Sequence, residues 1–186
     1  MHQTLEDLAG QFTAVTTAVD RAFGSLDRTT MARRPTAQAW SPAECLTHLV
    51  LTTDELLPRI DAVLGTGSSE PGRPARRYRS SFVGWLLARS LEPPVRSRFK
   101  TTPAFIPDAS RPSGEVLEDF RRSQRDVLAC LARADGHDLT RLRVQSPFSA
   151  RIRYNVVAAF RILAAHQRRH VWQAERALLA DALPAS

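Results

Sequence analysis

His166 and His170 stand four residues apart in a stretch whose apolar residues recur at helical spacing. At about 100° per residue their imidazoles leave one face of that helix a turn apart, the spacing by which one helix offers two ligands to one metal ion. The same face carries Ala159, Ile162, Leu163, Gln173 and Ala177, so the pair is expected to point inward, away from a solvated edge at Arg168 and Arg169. His48 lies far earlier, one turn past Glu44 on another predicted helix, and only tertiary packing can bring it to the pair. Helical bundles build metal sites in this way, from inward side chains on facing helices. Three neutral imidazoles suit zinc, nickel, copper or iron and leave a coordination position open for water or substrate. In His166-Gln167-Arg168-Arg169-His170, Gln167 stands where a zinc protease of the two-histidine helix type needs a glutamate base, so that class is not supported. His2 is expected to fray at the terminus, and His137, after Asp135-Gly136, to lie in a loop.

Several other side chains are near the histidines in sequence or in helical turns. A water nucleophile wants a general base, and Glu44, Glu55 and Glu175 are the carboxylates that the helix spacing offers. Each has a plainer reading as a cap or a solvated residue. Cys45 could be a fourth ligand or a small buried hydrophobe, and Gln173 could hydrogen-bond a ligand imidazole or fill an interface. Trp40 and Trp172 are candidate pocket walls or core residues, and Trp85 has no functional assignment. Arg153, Arg161 and Arg169 are the nearest cations for an anionic substrate.

The elements that must position these residues are read from the apolar period. A helix is predicted from about Leu5 to Leu26, with Leu5, Leu8, Phe12, Val15, Val19, Phe23 and Leu26 on one stripe, followed by a polar loop at Arg33-Arg34-Pro35. Trp40-Ser41-Pro42-Ala43-Glu44 signals a helix start, with Ser41 as N-cap, Pro42 in the first turn and Glu44 completing a capping box. That helix is expected to run to about Leu64 with a bend near Pro58, and residues 65–74 to form a loop. A short helix is predicted at Ser80 to Ser90, containing Phe82, Trp85 and Leu86. A crossover with Pro93, Pro94, Pro103, Pro107 and Pro112 follows. Helices from Ser113 to Ala134, stopped by Asp135-Gly136, and from about Tyr154 to Leu179 complete the chain. Alternating β-branched runs are lacking, so the predicted class is all-α.

The 186 residues suit a single domain, 1–186, able to bury its own core. A hydrophobic fraction of 43% and a charged fraction of 24% are those of a globular protein, and no stretch reaches the roughly 18 apolar residues of a membrane span. The acidic start, Met1-His2-Gln3-Thr4-Leu5-Glu6-Asp7, does not read as a secretory signal, and Cys45 and Cys130 in apolar settings read as reduced thiols of a cytoplasmic protein. The net charge of +7 is almost all arginine, Lys100 being the exception. The arginines are spread along the chain and do not form one stripe interleaved with aromatic residues, which favours a solvated basic surface over a nucleic-acid footprint.

Trp40-Ser41-Pro42-Ala43-Glu44-Cys45-Leu46-Thr47-His48-Leu49 resembles the helix-start and histidine pattern of the DinB-like superfamily. His166-Gln-Arg-Arg-His170-Val-Trp-Gln173 resembles its C-terminal histidine pair, and Ser146-Pro147-Phe148 its turn before the last helix. The resemblance implies an up-down-down-up four-helix bundle, here with the Pro-rich crossover and a short extra helix. It implies that His48, His166 and His170 hold one divalent ion, zinc or nickel first, with iron or manganese as further options. It also implies a metal-dependent hydrolase or a low-molecular-weight-thiol S-transferase, commonly a homodimer. A metal-binding bundle without turnover is the alternative, and a basic nucleic-acid binder the third.

Overall fold

The structure, a computed structural model, describes residues 1–67, 78–94, 101–108 and 113–182. Within them lie six helices: α1 (Gln3–Phe23), α2 (Arg28–Ala32), α3 (Pro42–Thr66), α4 (Phe82–Leu91), α5 (Ser113–Ala134) and α6 (Val156–Ala182). A 3-10 turn at Pro103–Phe105 and two short strands, β1 (Arg143–Gln145) and β2 (Arg153–Asn155), complete the elements. Residues 68–74 of the expected loop, together with Arg76, Arg77 and Pro112, lie outside the described residues.

The capping box forms as the sequence requires. Ser41 Oγ accepts from Glu44 N at 3.2 Å while Glu44 Oε2 accepts from Ser41 N at 2.9 Å, so two N–H groups with no helical partner are satisfied where α3 begins. From there α3 continues through Pro58, which lies inside the helix, as far as Thr66. At the other terminus His2 is not frayed. Its Nδ1 accepts from Thr4 N at 3.1 Å, its ring lies 4.3 Å from that of Tyr78, and its own N–H donates to Asp135 Oδ1 at 2.9 Å.

Two regions differ from the sequence expectation. Helix α1 stops at Phe23, and α2 occupies part of the expected loop, started by Asp27 Oδ1 accepting from Thr30 N at 2.9 Å. Strands β1 and β2 pair antiparallel with Val144 opposite Tyr154, so the chain is mostly helical but not purely so. Three residues per strand are too few for a period of two to show. The Ser146-Pro147-Phe148 turn falls in the connection between these strands, and α6 starts at Val156, capped by Asn155 Oδ1 accepting from Ala158 N at 3.1 Å.

Helix α1 packs on α5 and α6, α3 packs on the same two helices, and α4 lies against α6. Gly84 sets that last contact, because a Cβ there would overlap the Ala158 methyl. Gly84→Ala is therefore expected to lower stability by about 1–3 kcal/mol through overpacking, read as a drop in urea midpoint, with early proteolytic cleavage in α4.

Two apolar clusters form the interior. One joins Leu5, Leu8 and Phe12 of α1 with Leu56, Ile60, Leu131 and Phe160. The other joins Val15, Val19 and Phe23 with Leu46, Leu49, Phe120 and Val171. Between them three of the helices contribute buried polar residues: Thr47, His48, Thr52 and Thr53 on α3, Ser123 and Gln124 on α5, and His166, Gln167, Arg169 and His170 on α6. Placing polar groups there is unfavourable unless they are bonded, so this layer marks where the fold gives up apolar burial. No helix among the described residues is long and apolar enough to cross a membrane.

Candidate metal centre

The polar layer brings the three histidines together. His48 is 2% exposed and His166 and His170 are each 7% exposed. Their ring centroids are 4.5–5.1 Å apart, and one nitrogen from each ring lies within 4.8 Å of one from each of the others. His48 Nε2 and His166 Nε2 face each other at 3.2 Å.

The hydrogen bond on the far side of His48 fixes its tautomer. A carbonyl oxygen only accepts, so at 2.7 Å from Phe105 O it is Nδ1 that carries the proton. A neutral His48 then presents the bare lone pair of Nε2 to the cluster. Burial lowers the His48 pKa, against a smaller opposing effect of the Phe105 carbonyl. Burial, then the neighbouring histidines and Arg169, hold His166 and His170 well below the ordinary imidazole value. Three neutral, buried imidazoles with convergent nitrogens form a donor set that fits a divalent cation. The buried Nδ1 of His170 has no hydrogen-bond partner, a second sign of unfilled polar capacity at this point.

Aromatic rings close the cluster. Trp40, half-buried, lies 5.0 Å from His48 and 5.9 Å from His170 between ring centroids. Phe148, 39% exposed, lies 5.7 Å from His166 and 5.0 Å from Phe105. Trp40 thus stands at the cluster as a pocket wall would, whereas Trp172 is occupied by Arg176 above its ring at 5.1 Å. Sequence reasoning missed Phe105 and Phe148 as parts of this site. Phe105 ends a three-residue 3-10 turn and Phe148 lies in the connection between the strands, pieces too short for a period, and only the Ser146-Pro147-Phe148 turn gave a signal.

The other sequence candidates separate clearly. Glu44 is a buried cap. Burial would raise its pKa, but the Arg34 guanidinium and the Ser41 N–H together hold it below the usual carboxylate value, with Arg34 Nε donating to Oε2 at 2.8 Å. Glu55 is paired with Arg59 on the surface. Neither they nor Glu175 belong to the group of side chains that could share one ion among the described residues. Cys45 is fully buried in the second apolar cluster, with burial pushing its thiol pKa up strongly, so it stands as a hydrophobe and not as a fourth ligand. Gln173 lies beside His170 and opposes, slightly, the lowering of its pKa. Arg169 is buried at 7% exposure, which corrects the expectation of a solvated edge there; Arg168, half-exposed, is paired with Glu92 and bonds Gln11. Arg153 is exposed, and Arg161 donates to Ser80 Oγ at 2.8 Å.

Part of the basic surface is neutralised in place. Arg121 pairs with Asp20 and Glu118, Arg122 with Asp54, and Arg133 with Asp61.

No curated protein and no solved structure matches the chain. A family model does: that of the DinB superfamily, over residues 11–174, a span that contains all three histidines.

Proposed function

The chain belongs to the DinB superfamily, and from that premise we propose that His48, His166 and His170 hold one divalent metal ion at the active centre of a small-molecule enzyme. The observation that carries this reading is the convergence of three buried neutral imidazoles within 4.8 Å, from helices far apart in sequence. When bound there, the ion would supply a Lewis-acid position at which a water or a thiol gives up its proton near neutral pH.

The rest of the chemistry falls to the chain. Phe105 O fixes His48 in the tautomer that offers Nε2. Trp40 and Phe148 narrow the approach and keep bulk water from the imidazoles. Of the two reactions the superfamily suggests, low-molecular-weight-thiol transfer is better supported than hydrolysis. Hydrolysis also wants a carboxylate to pass a proton on to the leaving group, and Glu44 and Glu55, two of the three carboxylates that the helix spacing offers, are engaged with Arg34 and Arg59. Arg169, a buried cation beside the pair, favours an anionic thiolate in the same place. A metal-binding bundle without turnover is the second reading, favoured by the near-complete burial of all three rings. The wider reading is one cytoplasmic domain, 1–186, in an up-down-down-up four-helix order and active as a homodimer. The packing of α1 and α3 on α5 and α6 and the long connection between α3 and α5 support that order.

The test is metal titration followed by a thiol screen. Purified protein stripped with EDTA is expected to take up one zinc or nickel per chain and to melt at higher temperature when loaded. The loaded form is then expected to conjugate a low-molecular-weight thiol to an electrophile such as 1-chloro-2,4-dinitrobenzene. Uptake without turnover would favour the second reading, and no uptake would remove both.

A further inference from the structure

A concavity opens between the start of α1, the segment leading into α4 and the outer side of α6. Its volume is about 740 Å³, the size of pockets that hold small organic ligands, and none of the three histidines lines it. Arg161 on α6 stands five residues before His166, about 7.5 Å along the axis and about 140° around it, so cleft and imidazoles open on different sides of the helix.

Two kinds of group meet in its walls. Arg79 and Arg161 bring two guanidinium groups, and neither is ion-paired with a carboxylate among the described residues. Their charge is therefore left for a ligand, unlike that of Arg34, Arg59, Arg121, Arg122, Arg133 and Arg168, each held by a carboxylate of the chain. The first residues of α1 and α4 also line the cleft, so two helix N-termini add partial positive charge. Asp7 is the one acidic side chain in the lining, which leaves the two arginines in excess. Beside them Phe82 and Trp85 stack with centroids 6.0 Å apart, yet remain 74% and 48% exposed. Large rings left open to water next to a cleft mark a binding surface.

The cationic side is also held in place. Asn155, the cap of α6, donates from Nδ2 to Arg79 O at 2.7 Å and accepts at Oδ1 from Ser81 N at 3.1 Å, fixing the segment between them. Tyr78 forms the buried floor, its hydroxyl donating to His137 O at 3.0 Å, and Ser80 Oγ aligns the Arg161 guanidinium.

We infer that this cleft binds a small organic anion, a carboxylate or phosphate ester on a flat apolar body, with the anion between Arg79 and Arg161 and the apolar body against Phe82 and Trp85. Guanidinium forks match both oxyanions, and stacked rings match a planar body. The site is independent of the histidine cluster.

Calorimetric titration with 2-naphthoate, and with the neutral 2-naphthamide as its partner probe, tests this. The wild type is expected to bind one naphthoate per chain, at least tenfold more tightly than the amide, with or without EDTA. Arg161→Gln and Trp85→Ala should each weaken naphthoate at least tenfold. Arg79→Gln, at an exposed position, should weaken it severalfold without disturbing the fold. No saturable binding at millimolar probe would overturn the inference. So would equal affinity for acid and amide, wild-type affinity in a folded Arg161→Gln or Arg79→Gln protein, or binding abolished by EDTA, which would place the probe at the histidines instead.

Discussion

His48→Ala and His170→Ala are each expected to weaken metal binding by more than about a hundredfold. Removing a group that merely orients a ligand already lowers affinity about 10–100-fold, and these variants remove a ligand itself. The two should differ in one respect that depends on the surroundings of each ring. His48 donates to Phe105 O, so its loss orphans a buried carbonyl and should also lower the stability of the metal-free protein by about 1 kcal/mol or more. His170 Nδ1 has no such partner, so His170→Ala should lose metal with less effect on the metal-free fold. Metal content by elemental analysis after dialysis, with helicity by circular dichroism, measures both. Wild-type metal content in either variant would mean that the ion, if bound, is bound elsewhere.

Arg34→Met is expected to be the most damaging surface substitution. It removes the counter-charge from Glu44, which is 2% exposed, and leaves a carboxylate buried with the Ser41 N–H and the α3 N-terminus as its remaining support. Breaking a buried pair costs about 3–5 kcal/mol; those remaining partners and the half-open position of Arg34 put this case near about 3 kcal/mol. The same helix turn positions His48, so the damage should reach the site as weaker metal uptake. Glu44→Gln added to Arg34→Met should restore much of the loss, since an amide leaves no charge unpaired and still accepts from Ser41 N. The pH dependence has a definite sign. Glu44 is held below its ordinary value of 4.5 in the fold, so its contribution is present above that pH and fades as the carboxylate protonates below it. The gap between wild type and Arg34→Met in urea unfolding should therefore narrow as the pH is taken below about 4.5. A gap independent of pH, or one that Glu44→Gln deepens, would show that the pair acts otherwise.

The parts of this fold legible in sequence were those with strong local signals. Ser41-Pro42-Ala43-Glu44 announced the start of α3 because a capping box is written in four residues. The inward placing of His166 and His170 followed from their small and apolar neighbours, and the family match confirms the resemblance first seen at Trp40–Leu49 and His166–Gln173. The hairpin at Arg143–Asn155 and the five-residue α2 escaped because elements that short have no period to read. The Phe105 carbonyl that orients His48 escaped because a backbone contact across 57 residues leaves no mark on residue type. The polar layer was half visible. The apolar stripe of α5 passes from Phe120 to Val127 with Ser123 and Gln124 between, and such a gap on a buried face is a signal that the interior changes character there.

The most direct test of the metal centre is X-ray absorption at the zinc edge of protein loaded with one zinc per chain. Three imidazole nitrogens at about 2.0–2.1 Å, with the remaining coordination from light atoms alone, is the expected first shell. Fewer than three imidazoles, or a sulfur ligand from Cys45, would contradict the site built from His48, His166 and His170.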